Sequence, residues 1–121
     1  MNKFGVRKAR ALCREWQSRL SLQDWSVAVH VVRATEMSRA DNDGECDYVL
    51  ARKKATIWLR SPLDRHDSAE VDMEADLVHE LLHIPFGPFF VHEEDDRHIN
   101  LAQEQCIDSI AEALVRAKRG L

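Results

Sequence analysis

The sequence predicts a mixed α+β fold in the order helix, three strands, helix, long helix, within a single domain covering residues 1–121. Three observations predict it. Apolar residues recur at helical spacing at the start of the chain and again through its second half, and they alternate at strand spacing in between. The links between the strand-like segments carry turn signals and are too short for helical crossovers. The strands are therefore expected to form one three-stranded antiparallel sheet.

The first helix is expected over about Lys3 to Leu20, where Val6, Ala9, Cys13, Trp16 and Leu20 form one stripe. Period-two alternation follows in Asp24 to Val32, with Trp25, Val27, Val29 and Val31 on one side. Asp41-Asn42-Asp43-Gly44 is a turn signal. Cys46 to Leu50 reads as a second strand, Arg52-Lys53-Lys54 as an exposed turn, and Ala55 to Leu59 as a third strand. Asp67-Ser68-Ala69-Glu70 has the acid-x-x-Glu form of a helix start. That helix is expected from Ser68 to Ile84, stopped by Pro85, Gly87 and Pro88. Phe86, Phe89 and Phe90 follow, either tucked under the domain or forming a lip over a groove. The last helix is expected from Asp95 or Asp96, with acids in its first turn, bases (Arg116, Lys118, Arg119) in its last, and Gly120 as its stop.

Composition narrows the function classes. The hydrophobic fraction is 45%, enough for a core, and the charged fraction is 31%. No apolar run approaches the roughly 18 residues of a membrane span, and no secretory signal is expected because the first residues lack an apolar block. Cys13, Cys46 and Cys106 form no CxxC pair and are odd in number, which fits a reducing, cytoplasmic setting. The first helix is basic, with Lys3, Arg7, Lys8, Arg10, Arg14 and Arg19 against Glu15 alone. A nucleic-acid surface is one reading of it, which the net charge of −4 does not favour; a core-facing helix with a solvated side is the simpler one.

The chemistry is concentrated in His79-Glu80-Leu81-Leu82-His83. On a helix, residues four apart lie about 40° apart around the axis and one turn from each other, so two imidazoles so placed can hold one zinc ion. Glu80 projects about 100° away from His79, beside the metal, where it can take a proton from the attacking water. A catalytic zinc site needs a third protein ligand. The HExxHxxGxxH spacing fails, since Phe86 and Phe89 stand where its Gly and third His would fall. Glu104 and Asp108 lie four apart on the last helix, in phase with Leu101, Ala111 and Val115, and an acid pair on an inward stripe needs a partner. Glu104 is therefore expected as a metal ligand and Asp108 as the acceptor for a ligand histidine's other ring N–H. His92 and His98 are the other downstream candidates for third ligand. Asp72 and Asp76 share the histidines' helical face, either as outer acids around a metal or as solvated groups.

HELLH followed by Glu-x-x-x-Asp on the next helix resembles the gluzincin arrangement of thermolysin-like peptidases. The short chain is more similar to the minimal zincin cores of phage and prophage proteins and of ImmA/IrrE-type and SprT-like peptidases. The resemblance implies a minimal zincin-like fold, bound Zn2+, and hydrolysis of a protein or peptide substrate with Glu80 as general base. It implies that the strand before the active helix, Ala55 to Leu59, lies along the cleft and pairs with extended substrate. A downstream His or Tyr that stabilises the oxyanion is also implied; no residue is identified for it, and Tyr48, His66, His92 and His98 are the candidates for that role. The sequence departs from the SprT-like pattern in having no downstream His-Gly, and it has no helix-turn-helix of the kind ImmA-type proteins often carry. Two other classes stay open: a non-catalytic zinc-stabilised binding module, and a DNA-associated regulator acting through the basic first helix. Substrate identity and oligomeric state are not legible in the sequence.

Overall fold

The computed structural model describes residues 2–39, 41–65, 71–90 and 97–121, with Arg97 by its backbone alone. Its first helix, α1 (Val6–Arg19), buries Ala9, Cys13 and Trp16 along the expected stripe. Gln17 is buried as well, because its amide donates to the carbonyls of Leu22 and Trp25 and so ties the end of α1 to the first strand.

Strand β1 (Ser26–Val32) turns Val29 into the core, with Val27 and Val31 half-buried beside it. Strands β2 (Gly44–Val49) and β3 (Lys54–Arg60) are joined by a tight turn that closes on Lys53 in the left-handed region (φ 50°). Ala55, Ile57 and Leu59 of β3 are buried. Ile57 sits at the sheet's centre, opposite Val29 on one side and Cys46 on the other.

The sheet is mixed, not antiparallel as expected. Its order is β1-β3-β2, with β3 parallel to β1 and antiparallel to β2. A parallel pair normally needs a long crossover to return the chain to its starting end. Here β2 makes that return. The chain leaves β1, passes across the end of the sheet, runs back along the far edge as β2, and then turns into the middle as β3. The antiparallel pairing of β2 with β3 is as expected; β1 fails to lie beside β2 and pairs in parallel with β3 instead.

Helix α2 (Met73–Phe86) starts later than the sequence suggests. The expected start at Asp67 to Glu70 lies outside the described residues, but Asp72 is extended and its carboxylate accepts from the Ala75 N–H (3.1 Å), which fixes Asp72 as the cap. Pro85 does not stop the helix. It lies in the last turn, and the Gly87 N–H still donates to the His83 carbonyl. Leu77, Val78, Leu81, Leu82 and Ile84 make α2 apolar nearly all round, as a helix must be when other elements cover most of its surface. Phe86 packs on the core, whereas Phe89 is 77% exposed.

Helix α3 runs over Arg97–Lys118; its expected start at Asp95 or Asp96 lies outside the described residues. It buries Ile107, Ala111 and Val115. One core cluster joins α1, the sheet, α2 and α3. No helix among the described residues is long and apolar enough to cross a membrane, and Cys13, Cys46 and Cys106 are free thiols.

Candidate metal centre

The exposed remainder of α2 faces α3, and there the polar residues meet. His79 Nε2 lies 3.3 Å from His83 Nε2, as one helical turn allows. The Glu104 carboxylate bridges the two rings, Oε2 at 3.0 Å from His79 Nε2 and Oε1 at 3.1 Å from His83 Nε2. The ring Nδ1 of His79 donates to Asp108 Oδ1 at 2.6 Å. A carboxylate can only accept, so this bond puts the hydrogen on Nδ1 and turns Nε2 toward Glu104.

Two imidazole nitrogens and a carboxylate oxygen thus lie within 4.8 Å of one another. That donor chemistry suits zinc: two imidazole nitrogens and one hard carboxylate oxygen. Without an ion the same groups hold each other by charge. Burial depresses the His79 pKa, but the hydrogen bond to Glu104 and the charges of Glu80, Glu104 and Asp108 outweigh it and raise it to about 9. Hydrogen bonds from His79 and His83 hold Glu104 far below the usual carboxylate range.

Glu80 points the other way, toward the sheet. Only 7% of it is exposed, and burial lifts its pKa to about 7 against the opposing pull of His79 and His83. Gly44 of β2 closes over it so tightly that a Cβ there would stand 2.9 Å from Glu80 Oε2. A groove of about 590 Å³ opens from this point along β2, lined by Cys46, Asp47, Tyr48, Trp58, Glu80 and His83 among others.

Comparison with family models, curated proteins and solved structures returns no match. The site therefore has to be read from its own chemistry.

His79, His83, Glu104 and Asp108 meet between α2 and α3, and Glu80 lies on the side of α2 that faces the sheet, but the acids do not reach the histidines from an inward stripe. Glu104 and Asp108 are not on a buried stripe: their side chains are 51% and 71% exposed, and Leu101 is 57% exposed. The buried row of α3 is Ile107, Ala111 and Val115, and the acids ride on its shoulder where α3 passes the histidines. His98 is exposed in the first turn of α3 and is not part of the cluster; His92 and His66 lie outside the described residues. The Tyr48 hydroxyl is packed against Gly87, where a Cβ would collide with it.

Asp72 and Asp76 are structural. Asp72 accepts from Arg119 (2.7 and 3.1 Å) and Asp76 from Arg65 (2.5 Å). The expectation for β3 also changes. It is paired on both sides and has no free edge, whereas β2 is an edge strand beside Glu80. Sequence reasoning passed over β2 as a site element because Gly44 looked like part of a turn.

Proposed function

We propose that this protein is a zinc-dependent peptidase with a minimal zincin-like fold. The observation that carries the reading is the convergence of His79 Nε2, His83 Nε2 and the Glu104 carboxylate beside a buried Glu80. A purely structural metal site has no use for that fourth group. When bound, zinc supplies Lewis acidity, which acidifies a water and polarises a carbonyl.

The chain's own residues divide the remaining work. His79, His83 and Glu104 hold the ion, and Asp108 fixes the His79 tautomer. Glu80 takes the proton from the attacking water and delivers it to the leaving amine. Burial works against its charged form, which favours its taking up a proton. An extended substrate would pair with β2, whose outer edge has no backbone partner among the described residues.

The test is Glu80→Gln. Zinc-loaded wild type should cleave a peptide library, and the variant should keep its zinc while cleavage falls by about 10²–10⁴-fold. Unchanged cleavage by the zinc-loaded variant would sink the proposal. His79→Ala and Glu104→Ala should each lose zinc. A protein that binds zinc and melts on chelation, yet cleaves nothing, would instead be a zinc-stabilised binding module.

A further inference from the structure

The groove along β2 has a one-sided charge. Among the described residues Glu36, Glu45, Asp47 and Glu80 line it, with His83, and no lysine or arginine does. No lysine or arginine among the described residues forms an ion pair with Glu36, Glu45 or Asp47. The Glu45 carboxylate accepts from the Ser38 N–H (3.0 Å), the Ser38 hydroxyl and the Asn42 amide (3.0 Å), all uncharged donors. These bonds pin the loop after β1 to the rim and leave the negative charge in place. Asp47 is exposed and in no ion pair among the described residues. Three cations of the flanking segments are engaged elsewhere: Arg33 with Asp64 (2.7 Å), Arg39 with Asp41 (3.9 Å), Lys53 with Asp24 (2.5 Å).

A second observation points to a ligand. Glu80, 7% exposed, lines the inner end of the groove and has no hydrogen-bond partner among the described residues. Its carboxylate opens only onto the groove, so a donor has to reach it from there. Trp58 adds an indole to the same groove, stacked on His30 at 6.3 Å, which suits the aliphatic stem and cationic head of a long basic side chain.

We propose that the β2 groove selects extended peptides carrying lysine or arginine side chains, held by Glu36, Glu45 and Asp47 on the rim and by Trp58. Calling that peptide a substrate rests on the peptidase reading; its binding does not. Each exposed acid contributes little alone, and a set of them acting together gives charge selectivity that salt screens.

Binding and turnover can be read separately. Zinc-loaded protein carrying Glu80→Gln is titrated with labelled ten-residue peptides of one scaffold, bearing either Lys/Arg or Glu at alternate positions, and followed by fluorescence anisotropy. The basic peptide should bind about tenfold or more tightly than its acidic twin, with an advantage that shrinks with added salt and in Glu36→Gln/Asp47→Asn. Equal binding of the two peptides, or an advantage untouched by that double substitution, would overturn the proposal. Wild-type protein is then incubated with the same peptides and a glutamine-bearing one. Cleavage of the neutral peptide as fast as the basic one overturns the substrate class while the peptidase reading stands. Charge-selective binding with no cleavage of any peptide supports the groove and sinks the peptidase reading.

Discussion

His79 uses its two ring nitrogens for different tasks, and the difference is set by a single atom of Asp108, 2.6 Å from Nδ1. With Asp108→Asn the fixed charge is lost and the amide can present either a donor or an acceptor to the ring. Zinc affinity should fall by about 10–100-fold with the fold intact, because outer partners of ligand histidines have effects of that size. Competition against a chelating dye measures it directly. Gly44 is the other residue whose role is local and sharp. An alanine Cβ would stand 2.9 Å from Glu80 Oε2 and 3.0 Å from its Cγ, so the base must shift. Gly44→Ala should keep its zinc and lose about 10–100-fold in cleavage rate, the cost of a displacement of about 1 Å at a reacting group. Parallel zinc analysis and rate measurement would expose a mere folding defect, which lowers both. The two residues differ in how far the sequence revealed them. Helical period alone relates His79, His83 and Glu80, and it relates Glu104 to Asp108. Nothing local relates Gly44 to Glu80, which are brought together only by packing of the sheet on α2.

Among the elements, β2 is the least legible and the most consequential. A strand was expected over Cys46 to Leu50 and β2 runs Gly44–Val49, but its position was not read, because periodicity tells which face of a strand is buried and says nothing about which strand lies next to it. Once β3 occupies the middle, β2 becomes the edge that borders the site. The same limit explains α3. Its period identified Ala111 and Val115 as inward, but a rotation of a few tens of degrees separates a buried stripe from its shoulder, and the acids lie on the shoulder. The junction of β2 with α2 offers a test at this scale. Gly87 ends α2 in ordinary right-handed geometry (φ −52°), so its need for glycine is steric: a Cβ would collide with the Tyr48 hydroxyl. Gly87→Ala should destabilise the chain by about 1–3 kcal/mol, the usual range for overpacking. Adding Tyr48→Phe removes the colliding oxygen and should recover part of that loss. A double-mutant cycle by urea unfolding reads the coupling; strict additivity would mean the strain lies elsewhere.

Across the whole molecule, Glu74 is the polar point where the three helices meet. It accepts from the Trp16 indole of α1 (2.7 Å), from Lys118 of α3, and from Arg119 just beyond it (3.2 Å). Lys118 also reaches Glu15 (3.0 Å), and Arg119 reaches Asp72. Burial pushes the Glu74 and Asp72 pKa values up, but the bonds from these donors win and hold both below their ordinary values. An acid lowered in this way stabilises the fold above its unfolded pKa, and that contribution is lost as pH falls through the folded one. Asp76 works in the opposite sense. Burial raises its pKa despite Arg65, so mild acidification relieves it first. The contribution of the helix junction should therefore hold from pH 7 to about 5 and decline below about pH 4, where unfolded carboxyls take up protons. Lys118→Met isolates the charge. It leaves Glu74 with one donor fewer in a largely buried place and should cost about 1–3 kcal/mol at pH 7. At about pH 2.5 the deficit should narrow, because a protonated Glu74 gains little from an ammonium. Urea unfolding of both chains at the two pH values decides the cause. A deficit that stays constant would assign the effect to packing of the Lys118 head over the Trp16 ring, 5.7 Å from its centroid, and not to the carboxylate beneath it.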